Sequence, residues 1–235
     1  MNIVSNYLRV KDLIVKSVNE CERNINDIKI LAVSKSFSLD SIISIADEGQ
    51  IAFGENYLKE ALEKIFILKK KRPDLNLEWH FIGQIQSNKT KLIAENFDWV
   101  HTVDRLKIAQ RLSDQRPKKL KNLNICIQVK IDAENTKSGV TTSNLFDLAL
   151  PINKISKLNL RGLMTIPKLT NDFQEQRRIF SKLSMLKYQL NNKGIILDTL
   201  SMGMTNDFVA AIYEGATIIR LGSAIFGSRN YEKKT

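Results

Sequence analysis

Ile28-Lys29-Ile30-Leu31-Ala32-Val33-Ser34-Lys35-Ser36-Phe37 sets the frame for the chain. A short apolar β-type run gives way to Ser-Lys-Ser-Phe, where an open doubly wound sheet would usually carry a glycine-rich nucleotide-binding turn. The run Ile28–Lys35 is followed by seven more of its kind: Ile51–Glu55, Glu78–Gly83, Trp99–Val103, Asn124–Ile131, Arg161–Ile166, Thr199–Met202 and Thr217–Leu221. Amphipathic stretches separate them. Each opens on residues that cap helices, namely Ser38, Asn56, Ser87-Asn88, Asp104, Thr142-Ser143, Asn171-Asp172 and Thr205-Asn206. Strands alternating with helices specify a parallel sheet with crossover connections, and eight such units specify a closed (β/α)8 TIM barrel. The segment Met1 to Asn26 has apolar residues at helical spacing and predicts an extra helix ahead of the first strand.

No Pro/Gly/Ser-rich linker interrupts the 235 residues, so a single domain over 1–235 is expected, with a frayed tail at Tyr231–Thr235. The absence of a twenty-residue apolar run argues against a membrane span, and the charged N-terminal segment is unlike a signal peptide. The expected protein is therefore soluble and cytoplasmic. The cysteines, Cys21 and Cys126, have neither the spacing nor the neighbours of a disulfide framework or a metal site, and Cys126 reads as strand packing. The net charge of +11 keeps a basic RNA-binding module among the alternatives. Against it, the cations are scattered beside acids. The densest run, Lys69-Lys70-Lys71-Arg72, closes a helix before Pro73, where cations complement the dipole.

A barrel gathers its chemistry at the C-terminal ends of its strands. Lys35 stands there. Alone it would read as a strand-end lysine reaching solvent, yet partial desolvation at a barrel mouth would make its amine available to a carbonyl. The loops after strands seven and eight, where such barrels commonly bind phosphate, are Ser201-Met202-Gly203-Met204-Thr205 and Gly222-Ser223-Ala224-Ile225-Phe226-Gly227. Small residues there let backbone N–H groups approach an anion. Arg220 ends the last strand, and a guanidinium at that position needs a partner. An amine, a phosphate cradle and an arginine at one mouth make pyridoxal 5′-phosphate (PLP) the economical cofactor. His80, at the end of strand three, reads as a satisfied core histidine ahead of one that hydrogen-bonds near the pocket, His101 as structural, Glu55 either as loop-orienting or as a solvated or ion-paired carboxylate, and the sequon Asn88-Lys89-Thr90 as irrelevant in a cytosolic chain.

Val33-Ser34-Lys35, Phe53-Gly54-Glu55-Asn56-Tyr57, Trp79-His80-Phe81-Ile82-Gly83 with Gln86-Ser87-Asn88-Lys89, Lys137-Ser138-Gly139, Arg161-Gly162-Leu163-Met164, Ser201-Met202-Gly203-Met204 and Arg220 through Gly227 together resemble the pyridoxal phosphate homeostasis protein family. The likeness runs in order from about Leu31 to Tyr231. It implies a barrel like the N-terminal domain of alanine racemase, with PLP held as a Schiff base on Lys35. It also implies that Ser201, Gly222 and Ser223 hold the phosphate, that Arg220 faces the pyridine nitrogen, and that Asn56 and Met202 line the ring pocket. Gln84-Ile85 departs from the family's usual Pro-Leu, and Ser223 and Thr205 exchange one hydroxyl residue for another.

The resemblance implies a carrier or reservoir of PLP in vitamin B6 and amino-acid homeostasis, and the residues agree with holding the cofactor rather than with an enzyme. Arg220 opposes protonation of the pyridine nitrogen, which weakens the ring as an electron sink, and Lys35 is the one evident base. The chain ends soon after the eighth strand, so no racemase-type second domain is expected, and with it no dimer; a monomer serving PLP-dependent apoenzymes follows by analogy. A slow amino-acid racemase is the alternative. No catalytic residue, metal or membrane partner is assigned.

Overall fold

The computed structural model describes residues 2–131 and 138–227. Lys137 of the Lys-Ser-Gly motif and the tail from Tyr231, expected to fray, lie outside these residues. In chain order the strands are β1 (Lys29–Val33), β2 (Ala52–Glu55), β3 (Glu78–Phe81), β4 (Trp99–Val103), β5 (Leu123–Lys130), β6 (Val140–Thr141), β7 (Leu158–Met164), β8 (Thr199–Ser201) and β9 (Ile218–Leu221). All pairings are parallel. They run β4-β3-β2-β1-β9-β8-β7-β5, and β4 pairs with β5 to close the ring of eight. The two-residue β6, which the hydrophobic pattern does not announce, lies outside the ring against the end of β5.

The helices are α1 (Ile3–Glu20), α2 (Leu39–Ala46), α3 (Leu58–Lys71), α4 (Thr90–Asn96), α5 (Leu106–Gln115), α6 (Leu145–Ile152), α7 (Phe173–Asn192), α8 (Phe208–Tyr213) and α9 (Ser223–Phe226). Two of the expected start signals cap as predicted: Ser38 accepts from the Ser41 N–H, and Asp172 from the Glu175 N–H. At four others the cap position falls one or two residues later, on Tyr57, Arg105, Asn144 and Asp207, with no side-chain cap bond. Packing of the apolar stripe, rather than the cap, fixes where those helices begin. Ser87-Asn88 opens a 3-10 turn that leads into α4. The N-terminal helix buries Tyr7, Val10, Ile14 and Val18 against α2, α8 and α9, and its Asn6 amide donates to the Ile225 carbonyl.

Period-two alternation along the strands separates two interiors. Trp79, Phe81, Val100, Leu163, Leu200, Ile219 and Leu221 face the helices and join the main apolar core. Leu31, Ala52, Trp99, Cys126, Met164 and Ile218 form a second, smaller cluster inside the ring, alongside the buried polar side chains of His80, His101, Ser201 and Arg220. Burial pushes the Cys126 thiol up to about 12, consistent with its expected role as packing. Among the described residues no helix is long and apolar enough to cross a membrane.

Candidate functional site at the barrel mouth

β1 stops at Val33, two residues short of its expected end, so Lys35 sits in the turn beyond the strand. The Phe37 N–H closes that turn on the Ser34 carbonyl at 3.1 Å, and Ser36 adopts a left-handed φ of 64°. A side chain held in that region costs about 1–2 kcal/mol, so the turn needs external support. The support comes from β2 and α3. Lys64 Nζ donates to the Ser34 carbonyl (2.7 Å) and to Glu55 Oε1 (2.8 Å), and the Ser34 hydroxyl donates to Glu55 Oε1 at 2.7 Å. Glu60, also paired with Lys64, accepts the Ser36 N–H at 2.6 Å. Both neighbours of Lys35 are thus clamped by one buried ion-pair cluster. Burial raises the Glu55 carboxyl above its usual value, with Lys64 pulling the other way. Of the two readings open for Glu55, ion pairing and loop orientation, the structure joins both in one role.

Lys35 lines a cavity of about 290 Å³ at the C-terminal end of the barrel, together with Asn56, Asp207, Arg220, Gly222 and Ser223. This is close to the lower end of the range of roughly 300–1,000 Å³ common for small-molecule sites. Asn56 is pressed against the strand-three loop. A Cβ on Gly83 would lie 2.1 Å from the Asn56 carbonyl oxygen, so only glycine lets the two loops approach. The buried Asn56 Oδ1 has no hydrogen-bond partner among the described residues, and a buried amide oxygen without a donor is costly unless a ligand supplies one. The two small-residue loops are joined: the Ser223 hydroxyl lies 3.2 Å from that of Thr205, which also accepts the Ala224 N–H. Phe37 stacks on Phe226 at 4.8 Å and so links the Lys35 turn to α9.

Arg220 is 3% exposed. Nη1 donates to the Ser201 carbonyl (2.6 Å) and hydroxyl (3.0 Å), and Nη2 to the Thr165 carbonyl (2.9 Å). Burial lowers its guanidinium to about 10, still cationic at neutral pH, with Asp207 opposing the shift. Asp207 accepts the Met204 N–H, and burial raises its carboxyl. Five of the seven residues anticipated from sequence therefore share one cavity. The other two, Ser201 and Met202, are fully buried and do not line it; the Ser201 hydroxyl contacts Arg220 and His101 instead. Asp207 was not anticipated, because its stretch reads as a helix start. At the departure Gln84-Ile85, Ile85 is buried and Gln84 reaches across to the Ser138 hydroxyl at 3.3 Å.

Residues 12–230 match the family described as alanine racemase, N-terminal domain. The pyridoxal phosphate homeostasis protein of Vibrio alginolyticus is 47% identical over 98% of this chain and 99% of its own. The chain belongs to the pyridoxal phosphate homeostasis protein family. The member from Escherichia coli K12 is 43% identical over 99% of both chains. Among solved structures, PipY of Synechococcus elongatus with PLP bound is 30% identical, with a TM-score of 0.80 over 91% of this chain and all of that one. An alanine racemase from Clostridium difficile shares the fold at 13% identity and a TM-score of 0.69, and this chain spans 57% of its length.

Proposed function

We propose that the mouth cavity holds PLP as a Schiff base on Lys35, and that the protein acts as a PLP carrier in vitamin B6 and amino-acid homeostasis. The observation that carries this reading is the convergence of Lys35, Arg220, Gly222, Ser223 and the unpartnered Asn56 oxygen on one cavity. The family's name and the PLP-bound PipY structure support it. When bound, PLP supplies an aldehyde that condenses reversibly with amines and a ring that can withdraw electrons. In this assignment Gly222 and Ser223, beside Thr205, hold the phosphate group. Arg220 stands toward the pyridine nitrogen, Asn56 borders the ring, and Ser201, buried with Met202 beneath the cavity, supports the cradle from behind Arg220.

A fixed guanidinium disfavours a second positive charge on the ring, which suits holding and handing over the cofactor more than proton exchange at an amino acid's α-carbon. The reading extends to one barrel domain over 1–235, working as a cytoplasmic monomer that passes PLP to PLP-dependent apoenzymes. Borohydride reduction of the PLP-loaded protein, followed by peptide mass spectrometry, tests the attachment, and an adduct on another lysine overturns it. Mixing the loaded protein with an apoenzyme tests the carrier role. Recovery of the apoenzyme with negligible racemisation of alanine or serine is expected, whereas robust turnover without cofactor release overturns it.

A further inference from the structure

A line of hydrogen bonds crosses the ring interior beneath Arg220. Ser201 Oγ, which accepts from Arg220 Nη1, lies 2.7 Å from His101 Nδ1. His101 Nε2 lies 2.8 Å from His80 Nδ1, and His80 Nε2 lies 2.6 Å from Glu78 Oε1. Glu78 begins β3 at the opposite end of the barrel, where the Lys29 amine donates to the same oxygen at 2.7 Å. The His80 ring is stacked on Trp99 at 5.4 Å and 4°, which restricts its rotation.

Chemistry at the two ends fixes the direction of the line. A guanidinium only donates and a carboxylate only accepts. Every link is satisfied when the Ser201 hydroxyl donates to His101 Nδ1, His101 Nε2–H to His80 Nδ1, and His80 Nε2–H to Glu78, with both imidazoles neutral. The Ser201 hydrogen is then committed to His101, leaving the hydroxyl to face Arg220 as an acceptor. Interior layers of such barrels are ordinarily filled by branched apolar side chains. Here β3, β4 and β8 each spend interior positions on polar groups that line up behind one arginine.

We propose that His101 and His80 are positioning residues of the cofactor site, which through Ser201 hold the Arg220 fork in the orientation it presents to the bound ring. This rests on the PLP reading and deepens it: it assigns Ser201 to the arginine rather than to the phosphate. Carbonyl oxygens from Ser201 and Thr165 also anchor Arg220, so losing the line loosens the fork without releasing it.

Two measurements test this. In the PLP-free protein, nitrogen-15 spectra of the imidazoles should show the Nε2–H tautomer at both His101 and His80, and an Nδ1–H tautomer at His101 overturns the polarity. In the PLP-loaded protein, His101→Phe should shift the visible absorption band and weaken PLP binding about tenfold, and His101→Gln, which can accept at one end and donate at the other, should recover part of both. On a Ser201→Ala background the His101→Phe effect should vanish, because the connecting hydroxyl is already gone. Should His101→Phe fail to fold, the same comparison is made with His101→Leu, which also lacks both ring nitrogens. An unaltered band in the folded Phe or Leu variant of a parent that binds PLP, or additive effects with Ser201→Ala, overturns this proposal alone. A parent with no PLP band overturns the cofactor reading and this proposal with it.

Discussion

The two interiors of the barrel are built to different rules. Between strands and helices the packing is apolar, with Phe53, Phe97, Phe180 and Leu183 almost fully buried, and apolar side chains of similar volume are tolerated there. Inside the ring, apolar residues share the space with two histidines, a serine and an arginine, each needing a partner of defined type and direction. The shell supplies stability, and the ring interior trades part of that for a fixed polar geometry below the mouth.

The largest expected effects come from the shell and the clamp. Phe180→Ala should lose about 3–5 kcal/mol in urea unfolding, while leaving PLP affinity unchanged wherever the variant is folded. Altered affinity in folded Phe180→Ala would mean that the shell and the ring interior are coupled. Lys64→Met leaves the Glu55 carboxylate buried without its cation. It should cost about 3 kcal/mol and also weaken PLP binding, because both neighbours of Lys35 lose their anchor. A Lys64→Met protein that binds PLP normally would show that the Lys35 turn holds itself.

pH separates the two interiors next. Burial, then the proximity of His80 and Arg220, hold His101 well below the usual histidine value. The folded state therefore resists a proton that the unfolded chain takes up near pH 6.5. Stability should be fully present above that pH and fall below it, by about 1.4 kcal/mol per pH unit for this one group. Glu78 acts in the same direction at lower pH. Despite partial burial, its bonds from His80 and Lys29 hold it at about 2, so its contribution is present above about 4.3 and disappears as pH falls from there toward 2. Chemical denaturation across pH 7 to 4 should show the first decline in the parent, and a shallower one in His101→Phe. Equal slopes would mean that the histidine is not held neutral.

The smallest effect expected is at Ser201. Removing its hydroxyl deletes one bond to a charged group, worth about 1.5–3 kcal/mol, but the two carbonyl anchors of Arg220 remain. PLP affinity should fall on the order of tenfold, accompanied by a shift of the visible band. A loss of affinity with an unmoved band would instead return Ser201 to direct contact with the phosphate.

What could be read from sequence follows this same division. Parallel strands buried on both faces are continuous apolar runs, so the eight ring strands were visible, with ends displaced by a few residues. Lys35, Arg220 and the Gly-Ser loop stood out because each is chemically unusual at a strand end. The two-residue β6 carries no periodic signal, and four helix starts are set by packing that local caps do not report. Asp207 and the line from Ser201 to Glu78 were out of reach for a different reason. The sequence leaves His80 between a satisfied core histidine and one bonded near the pocket, and His101 simply structural, because which atoms satisfy them depends on registers such as His80 against Trp99, fixed only when the ring closes.

Ring closure also bears on how the molecule is made. β1 has β9 for a neighbour, with Lys29 in register with Ile218, and Asn6 meets Ile225 across 219 positions of sequence. During synthesis the first strand keeps one edge open until β9 has emerged, and such long-range pairing is slow to form. The Lys35 turn, Arg220 and α9 come together only at that last step. Capture of PLP would then report completion of the fold, and the bound cofactor would favour the closed ring by mass action.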